Sequence, residues 1–332
     1  MDTIEVDELF ANLTGMLFSV AVQDKDASLK SPNLDSLMPP AARANLRAKA
    51  GTGQVKVAKK SMVNVEALEG VEKYPRPNGQ DYYARPWGEH TDIEVLRKAR
   101  TADQFVLLYG APGTGKTAAV EAAFPDELYT VLGSGDTEVS DLVGGYVQTP
   151  SGGFEWVDGS LVRAAEEGKV LLIDEIGLID PKVLSIVYGL MDGRREYTVT
   201  ANPERGTVKA KEGFYVIAAT NPNAPGVRLS EALLSRFSLQ VEMTTDWGLA
   251  KKLGVPVIAV TAAQNLAKKQ SNGEVSWSPQ MRELLNFKTV STLFGSKFAV
   301  ENLAGSAPEL DRSVVVDVLT RVFGEEVKPA KI

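Results

Sequence analysis

The sequence contains no cysteine and a single histidine, His90. A disulfide framework and thiolate metal ligation are therefore excluded, and one imidazole cannot build a zinc site alone. No stretch approaches the ~18 consecutive apolar residues that a membrane span requires. A short apolar run, Met16 to Val22, follows Asp2, Glu5, Asp7 and Glu8, where a secretory signal carries positive charge. These absences point to a cytoplasmic protein that makes no use of a membrane. The formal net charge of −7 argues against a general nucleic-acid coat, although a local basic patch remains compatible with it. What is present is ordinary for a globular chain: 44% hydrophobic and 24% charged residues over 332 positions, enough for two domains or one large domain with an extension.

Residues 1–75 differ from the rest. Between Asp35 and Glu66 there is no acid, while Arg43, Arg47, Lys49, Lys56, Lys59 and Lys60 are all present. Such a stretch is either a solvated arm or a docking element for nucleic acid or an acidic partner. Tyr74 to Trp87 is rich in Pro, aromatics and Arg, and predicts an ordered extended lead-in. Thr91 or Asp92 is placed to cap a helix through Ile93, Leu96 and Ala99.

The central signal is Gly110-Ala111-Pro112-Gly113-Thr114-Gly115-Lys116-Thr117. An apolar strand, Phe105 to Tyr109, runs into it and an Ala-rich helix leaves it, which is the context a phosphate-binding loop needs. The glycines let backbone N–H groups converge on phosphate oxygens, and the helix N-terminus adds its positive dipole end. Lys116 would bridge the β- and γ-phosphates and Thr117 would offer a hydroxyl to Mg²⁺. The chain is thus expected to bind a nucleoside triphosphate.

Further apolar runs follow at Leu128 to Leu132, Val170 to Ile173, Tyr215 to Ala219 and Leu239 to Met243. Unbroken runs separated by helices describe strands covered on both faces, hence an α/β fold with a parallel sheet. Asp174-Glu175 closes one of these strands. With alternating strand directions, Asp174 would hold the Mg²⁺ shell and Glu175 would polarise water. Asn221, after the run Tyr215 to Ala219, either meets the γ-phosphate and the attacking water or makes a turn with Pro222 and Asn223. Arg236, just before the last strand, is either a surface residue or a cation reaching a neighbouring copy's phosphate. From Asp246 onward the pattern is helical, with helices expected after Asp246, from Pro256 to Lys268, from Ser278-Pro279, and after Asp311.

Taken together, these motifs resemble an AAA+ ATPase, most closely the MoxR-like and dynein-related group within the helix-2-insert clade. Thr137 to Tyr146 is similar to that group's segment after the second strand, Gly153 to Leu161 to its inserted hairpin and resuming helix, and Arg195 to Lys211 to the hairpin before its sensor strand. The resemblance implies a P-loop ATPase core over 76–244, a helical lid over 245–332 and an N-terminal extension over 1–75. It implies ATP and Mg²⁺ as ligands, Asn221 as sensor 1, Arg236 as an arginine finger acting in trans, and Arg282 as the lid's sensor 2 residue. It also implies a ring of copies, usually a hexamer, that remodels a client protein, often one with a von Willebrand factor A-like domain. A nucleic-acid motor of the same superfamily is the alternative. Phe154 and Trp156 are either client contacts or aromatics of the hairpin's own core.

Overall fold

The structure, a computed structural model, describes residues 71–330. The basic stretch Arg43 to Lys60 and the run Met16 to Val22 lie outside the described residues. Two short antiparallel hairpins come first, β1 (Lys73–Pro75) with β2 (Asp81–Tyr83), then β3 (Pro86–Trp87) with β4 (His90–Thr91). Helix α1 (Asp92–Thr101) starts in a capping box: Thr91 Oγ1 accepts from the Glu94 amide, and the Glu94 carboxylate accepts from the Thr91 amide. That satisfies two amide donors that a helix start otherwise leaves open.

The core continues through β5 (Val106–Tyr109), α2 (Lys116–Ala123), β6 (Leu128–Leu132), α3 (Val139–Val143), the hairpin β7 (Gly144–Gln148) and β8 (Phe154–Asp158), and α4 (Ser160–Glu167). Next come β9 (Val170–Asp174), α5 (Pro181–Met191), the hairpin β10 (Glu196–Thr198) and β11 (Thr207–Lys209), β12 (Tyr215–Thr220), α6 (Glu231–Leu234) and β13 (Leu239–Glu242). Five strands make one parallel sheet in the order β13-β5-β12-β9-β6. All six residues of β12 are buried, as expected of a central strand covered by helices on both faces. Each large apolar side chain buried there contributes about 1.5–3 kcal/mol, an upper figure against a compact unfolded chain. Register pairs Tyr109 with Thr220 and Ile173 with Ala218, so the carboxyl ends of β5, β12 and β9 share one edge. Ligands in open α/β sheets collect at that edge.

The two inserted hairpins are tied together. Arg205, in the β10–β11 loop, donates Nε to Asp158 Oδ1 at 2.9 Å and Nη2 to Asp158 Oδ2 at 2.9 Å, and Nη2 also meets Glu166 Oε2 of α4 at 2.6 Å. Asp158 takes a further bond from Trp156 Nε1 at 2.7 Å. The paired guanidinium holds the Asp158 carboxyl below the usual carboxylate range. Trp156 packs edge-on against Tyr146, whereas Phe154 is 70% exposed. Arg205→Ala should lower unfolding stability by about 1–2 kcal/mol in a urea titration. That exceeds the ~0–1 kcal/mol of a surface pair, because two partly buried acids lose a shared partner. Amide exchange across Gly144 to Asp158 should rise in the same variant. Unchanged exchange there would mean that the hairpins are held by other contacts.

After β13 the chain is helical: α7 (Trp247–Lys252), α8 (Val257–Ser271), α9 (Met281–Phe294), α10 (Ser296–Gly305) and α11 (Arg312–Phe323). These helices gather a second apolar core, from Leu249 to Val327, distinct from the one between Tyr82 and Met243. Asp246 caps α7 by accepting from the Leu249 amide at 2.8 Å. Two expectations are corrected. The helix expected from Ser278-Pro279 begins at Met281 instead, because Ser278 donates its hydroxyl to Gln270 and the capping box passes to Gln280 and Glu283. Asp311 precedes α11 without capping it; its carboxylate accepts from the Ser276 amide and hydroxyl. Helix α10 was not anticipated. Among the described residues, no helix is long and apolar enough to cross a membrane.

Candidate active site

The phosphate-binding loop, 110–115, leaves β5 at the shared carboxyl edge and turns into α2. Its first amide, Gly110 N, donates to Thr220 O of β12 at 3.2 Å. Gly110 has φ +141°, and a Cβ there would collide with the Met243 carbonyl, so this crossing of β5 and the end of β13 needs glycine. Thr114 is buried and closes the loop by donating its hydroxyl to Ala111 O at 3.0 Å. Lys116 opens α2 and folds back, its Nζ donating to Gly110 O at 2.8 Å and Ala111 O at 3.0 Å.

A cavity of about 660 Å³ lies over this loop, lined by Pro112, Gly113, Gly115, Lys116 and Thr117, by Asp174 and Glu175, and by Arg282 of α9. Apolar side chains of the helical region, Leu249, Leu253 and Leu285, and tyrosines Tyr82 and Tyr83 of β2 close its far side. Gly110 and Thr114 are not among the residues that line it. Burial lowers the pKa of Lys116, and the charge of Arg282 acts the same way, while Glu175 and Asp174 oppose the shift. Lys116 and Arg282 thus share the cavity with Asp174 and Glu175, and Arg76, Arg85 and Asp81 line it as well.

Thr117 donates its hydroxyl to Asp174 Oδ2 at 2.7 Å, and the other Asp174 oxygen accepts from the Glu175 amide at 3.0 Å. A hydroxyl and a carboxylate in contact form the small oxygen set that Mg²⁺ uses when phosphates and waters complete its shell. Among the described residues there is no cluster of three or more acids or imidazoles that would make a full protein cage. The residues present thus fit Mg²⁺ held jointly with a phosphate chain. Glu175 departs from the sequence reasoning in a useful way. It is not a strand residue pointing opposite Asp174; its backbone is left-handed, φ 51° and ψ 40°, in a region costly for a residue with a Cβ. Its Oε2 is buried and has no hydrogen-bond partner among the described residues.

Asn221 and Arg236 stand apart from this group, and neither lines the cavity. Asn221 Oδ1 accepts from the Asn223 amide at 3.2 Å, making a turn beyond β12. Arg236 donates Nη1 to Ala232 O and lies 4.0 Å over the ring of Tyr188 in α5. Arg282, in contrast, is brought to the loop: its amide donates to Gly113 O at 3.1 Å. Sequence reasoning missed Arg85, which also lines the cavity. The Arg- and aromatic-rich segment marked the neighbourhood, but nothing in it pointed to partners far along the chain.

The family model for the AAA domain (dynein-related subfamily) matches residues 105–237, the span that holds the loop, Asp174-Glu175, Asn221 and Arg236. The uncharacterised protein YojN of Bacillus subtilis is 32% identical over 225 residues, covering 62% of this chain and 72% of that protein. This chain belongs to the AAA family, dynein-related subfamily. Other relatives are uncharacterised proteins of Staphylococcus epidermidis, 35% identical over 161 residues, and Staphylococcus haemolyticus, 38% over 160. The chain spans 60% of the length of each, with 45% of itself aligned. A solved structure from Cytophaga hutchinsonii superposes with a TM-score of 0.38 at 16% identity, over 72% of this AAA chain and 89% of that one. Membership of the AAA family implies nucleotide binding, usually with Mg²⁺.

Proposed function

We propose that this protein is a Mg²⁺-dependent ATPase of the MoxR-like type, working as a ring of six copies that remodels a partner protein. The supporting observation is the meeting of Lys116, Thr117, Asp174 and Glu175 around one cavity, with Thr117 Oγ1 2.7 Å from Asp174 Oδ2. Lys116 would move from the loop carbonyls to the β- and γ-phosphate oxygens, with Arg282 as a second cation from the lid. Thr117 and Asp174 would hold Mg²⁺, which when bound neutralises phosphate charge. Glu175, with its unpartnered Oε2, would accept a proton from the attacking water. Asn221 would report on the γ-phosphate once its turn rearranges, and Arg236 would serve the next copy's site. In this reading residues 76–244 form the ATPase core, 245–332 the lid and 1–75 an extension.

The client is proposed to be a protein, with a von Willebrand factor A-like domain as the leading class and the exposed hairpin residue Phe154 as a contact. ATP turnover stimulated by DNA at moderate salt would favour the nucleic-acid motor instead. The direct test of the site is Lys116→Ala. Charge-assisted hydrogen bonds contribute ~1.5–3 kcal/mol each, so the Kd for a fluorescent ATP analogue should rise about 10- to 100-fold. An unchanged Kd would remove the loop from the binding site.

A further inference from the structure

Arg85 sits where three parts of the fold meet. Its main chain is pinned by Asp92 at the start of α1: the Arg85 amide donates to Asp92 Oδ1 at 3.0 Å, and the Asp92 amide donates back to Arg85 O at 2.9 Å. Asp92 is buried, and its second oxygen accepts from the hydroxyl of the buried Tyr82. From this fixed stem the guanidinium reaches two carbonyls that lie far apart in sequence. Nη1 donates to Thr244 O at 3.0 Å, and Nη2 donates to Thr114 O.

Those two carbonyls have different mechanical meanings. Thr114 belongs to the phosphate-binding loop. Thr244 lies between β13 and α7, where the chain leaves the sheet's apolar core for the helical one. The neighbouring Thr245 donates to Gln280 Oε1 at 2.7 Å, at the start of α9. On the loop, Gly113 O is taken by the Arg282 amide of that same helix. Successive loop carbonyls, those of Gly113 and Thr114, are thus tied by donors from α9 and from Arg85. The loop also yields room for this arrangement: a Cβ on Gly115, whose φ is +95°, would sit 2.6 Å from Arg85 Nη2.

We propose that Arg85 is a positioning residue that fastens the phosphate-binding loop to the core–lid hinge, so that the lid is set at the angle in which Arg282 faces the triphosphate. The inference rests on the ATPase reading above. A planar fork suits this task because its two ends donate in different directions from one rigid group, whereas a lysine ammonium is a single point. Loss of the fork frees the Thr114 carbonyl and the hinge together. The effect should fall on ATP binding, since Asp174 at the end of β9 and Glu175 just after it make no contact with Arg85 and keep their places.

The test is steady-state ATPase kinetics and fluorescent-ATP binding with Mg²⁺ on full chains carrying Arg85→Ala, Arg85→Lys, Arg282→Ala, or Arg85→Ala with Arg282→Ala. Arg85→Ala should raise Kd and KM about tenfold or more while kcat stays within about threefold. Arg85→Lys should recover only a minor part of the loss. The double variant should be little worse than Arg85→Ala alone, because both changes act through one lid–loop junction. Unchanged KM, full recovery by lysine, or additive losses in the double variant would each overturn the proposal. If Arg85→Ala does not fold, Arg85→Gln takes its place under the same criteria. A wild-type chain that binds no ATP would instead sink the ATPase reading itself.

Discussion

Glu175→Gln is expected to bind ATP with wild-type affinity and hydrolyse it about 10²–10⁴-fold more slowly, the range for removing a positioned general base. The amide keeps the size of the carboxylate but cannot take a proton from water. The backbone at Glu175 is left-handed and its Oε2 is buried without a partner among the described residues, so this side chain is held at some cost in a place where no structural bond explains it. Asp174, by contrast, is already engaged with Thr117. Binding of a fluorescent ATP analogue and phosphate release, measured on the same preparation, check both halves of the expectation. Normal phosphate release would assign the base elsewhere. A loss of binding equal to the loss of rate would make Glu175 a structural residue.

For Arg236→Ala, near-normal ATP affinity is expected together with a fall in hydrolysis of about 10³–10⁵, the worth of an arginine finger in P-loop enzymes. Arg236 is outside the cavity of its own chain and lies on Tyr188, so a role in hydrolysis requires a second copy. Mixing Arg236→Ala with Glu175→Gln chains therefore distinguishes the two possibilities. A junction pairing the intact Glu175 of one chain with the intact Arg236 of the other should regain activity, although each chain alone is slow. No recovery in demonstrably mixed assemblies would confine Arg236 to its own chain, where stacking on Tyr188 would be its whole function.

Much of this architecture was legible in the residues, for identifiable reasons. The central strands β5, β9 and β12 are apolar runs because both faces are covered, the edge strands β6 and β13 are only partly buried, and all five appear where the runs stand. Asp174 and Glu175 were readable from their place at and just after a strand end, Lys116 and Thr117 from the glycine-rich loop that leads from a strand into a helix. What escaped notice depended on distant partners or on backbone geometry. Arg85 finds its acceptors 29 and 159 residues away, which no local pattern encodes. The left-handed turn at Glu175 has no glycine to announce it. Helix α10 follows α9 after only Gly295, at φ +88°, with no side-chain cap to mark its start. Asp311 looked like a cap and is instead the acceptor for Ser276, a choice made by the packing of two remote segments.

Helix α5 joins two features that have so far stood separately. It begins at Pro181, shortly after the turn that displays Glu175, and Tyr188 lies on it about 10 Å along the axis, beneath the guanidinium of Arg236. A rod of this kind transmits displacement from end to end without needing to bend. In the proposed head-to-tail assembly, a shift of the Glu175 turn in one subunit would thus shift the cation offered to the adjacent subunit, and firing order around the circle would be a property of a single stiff strut.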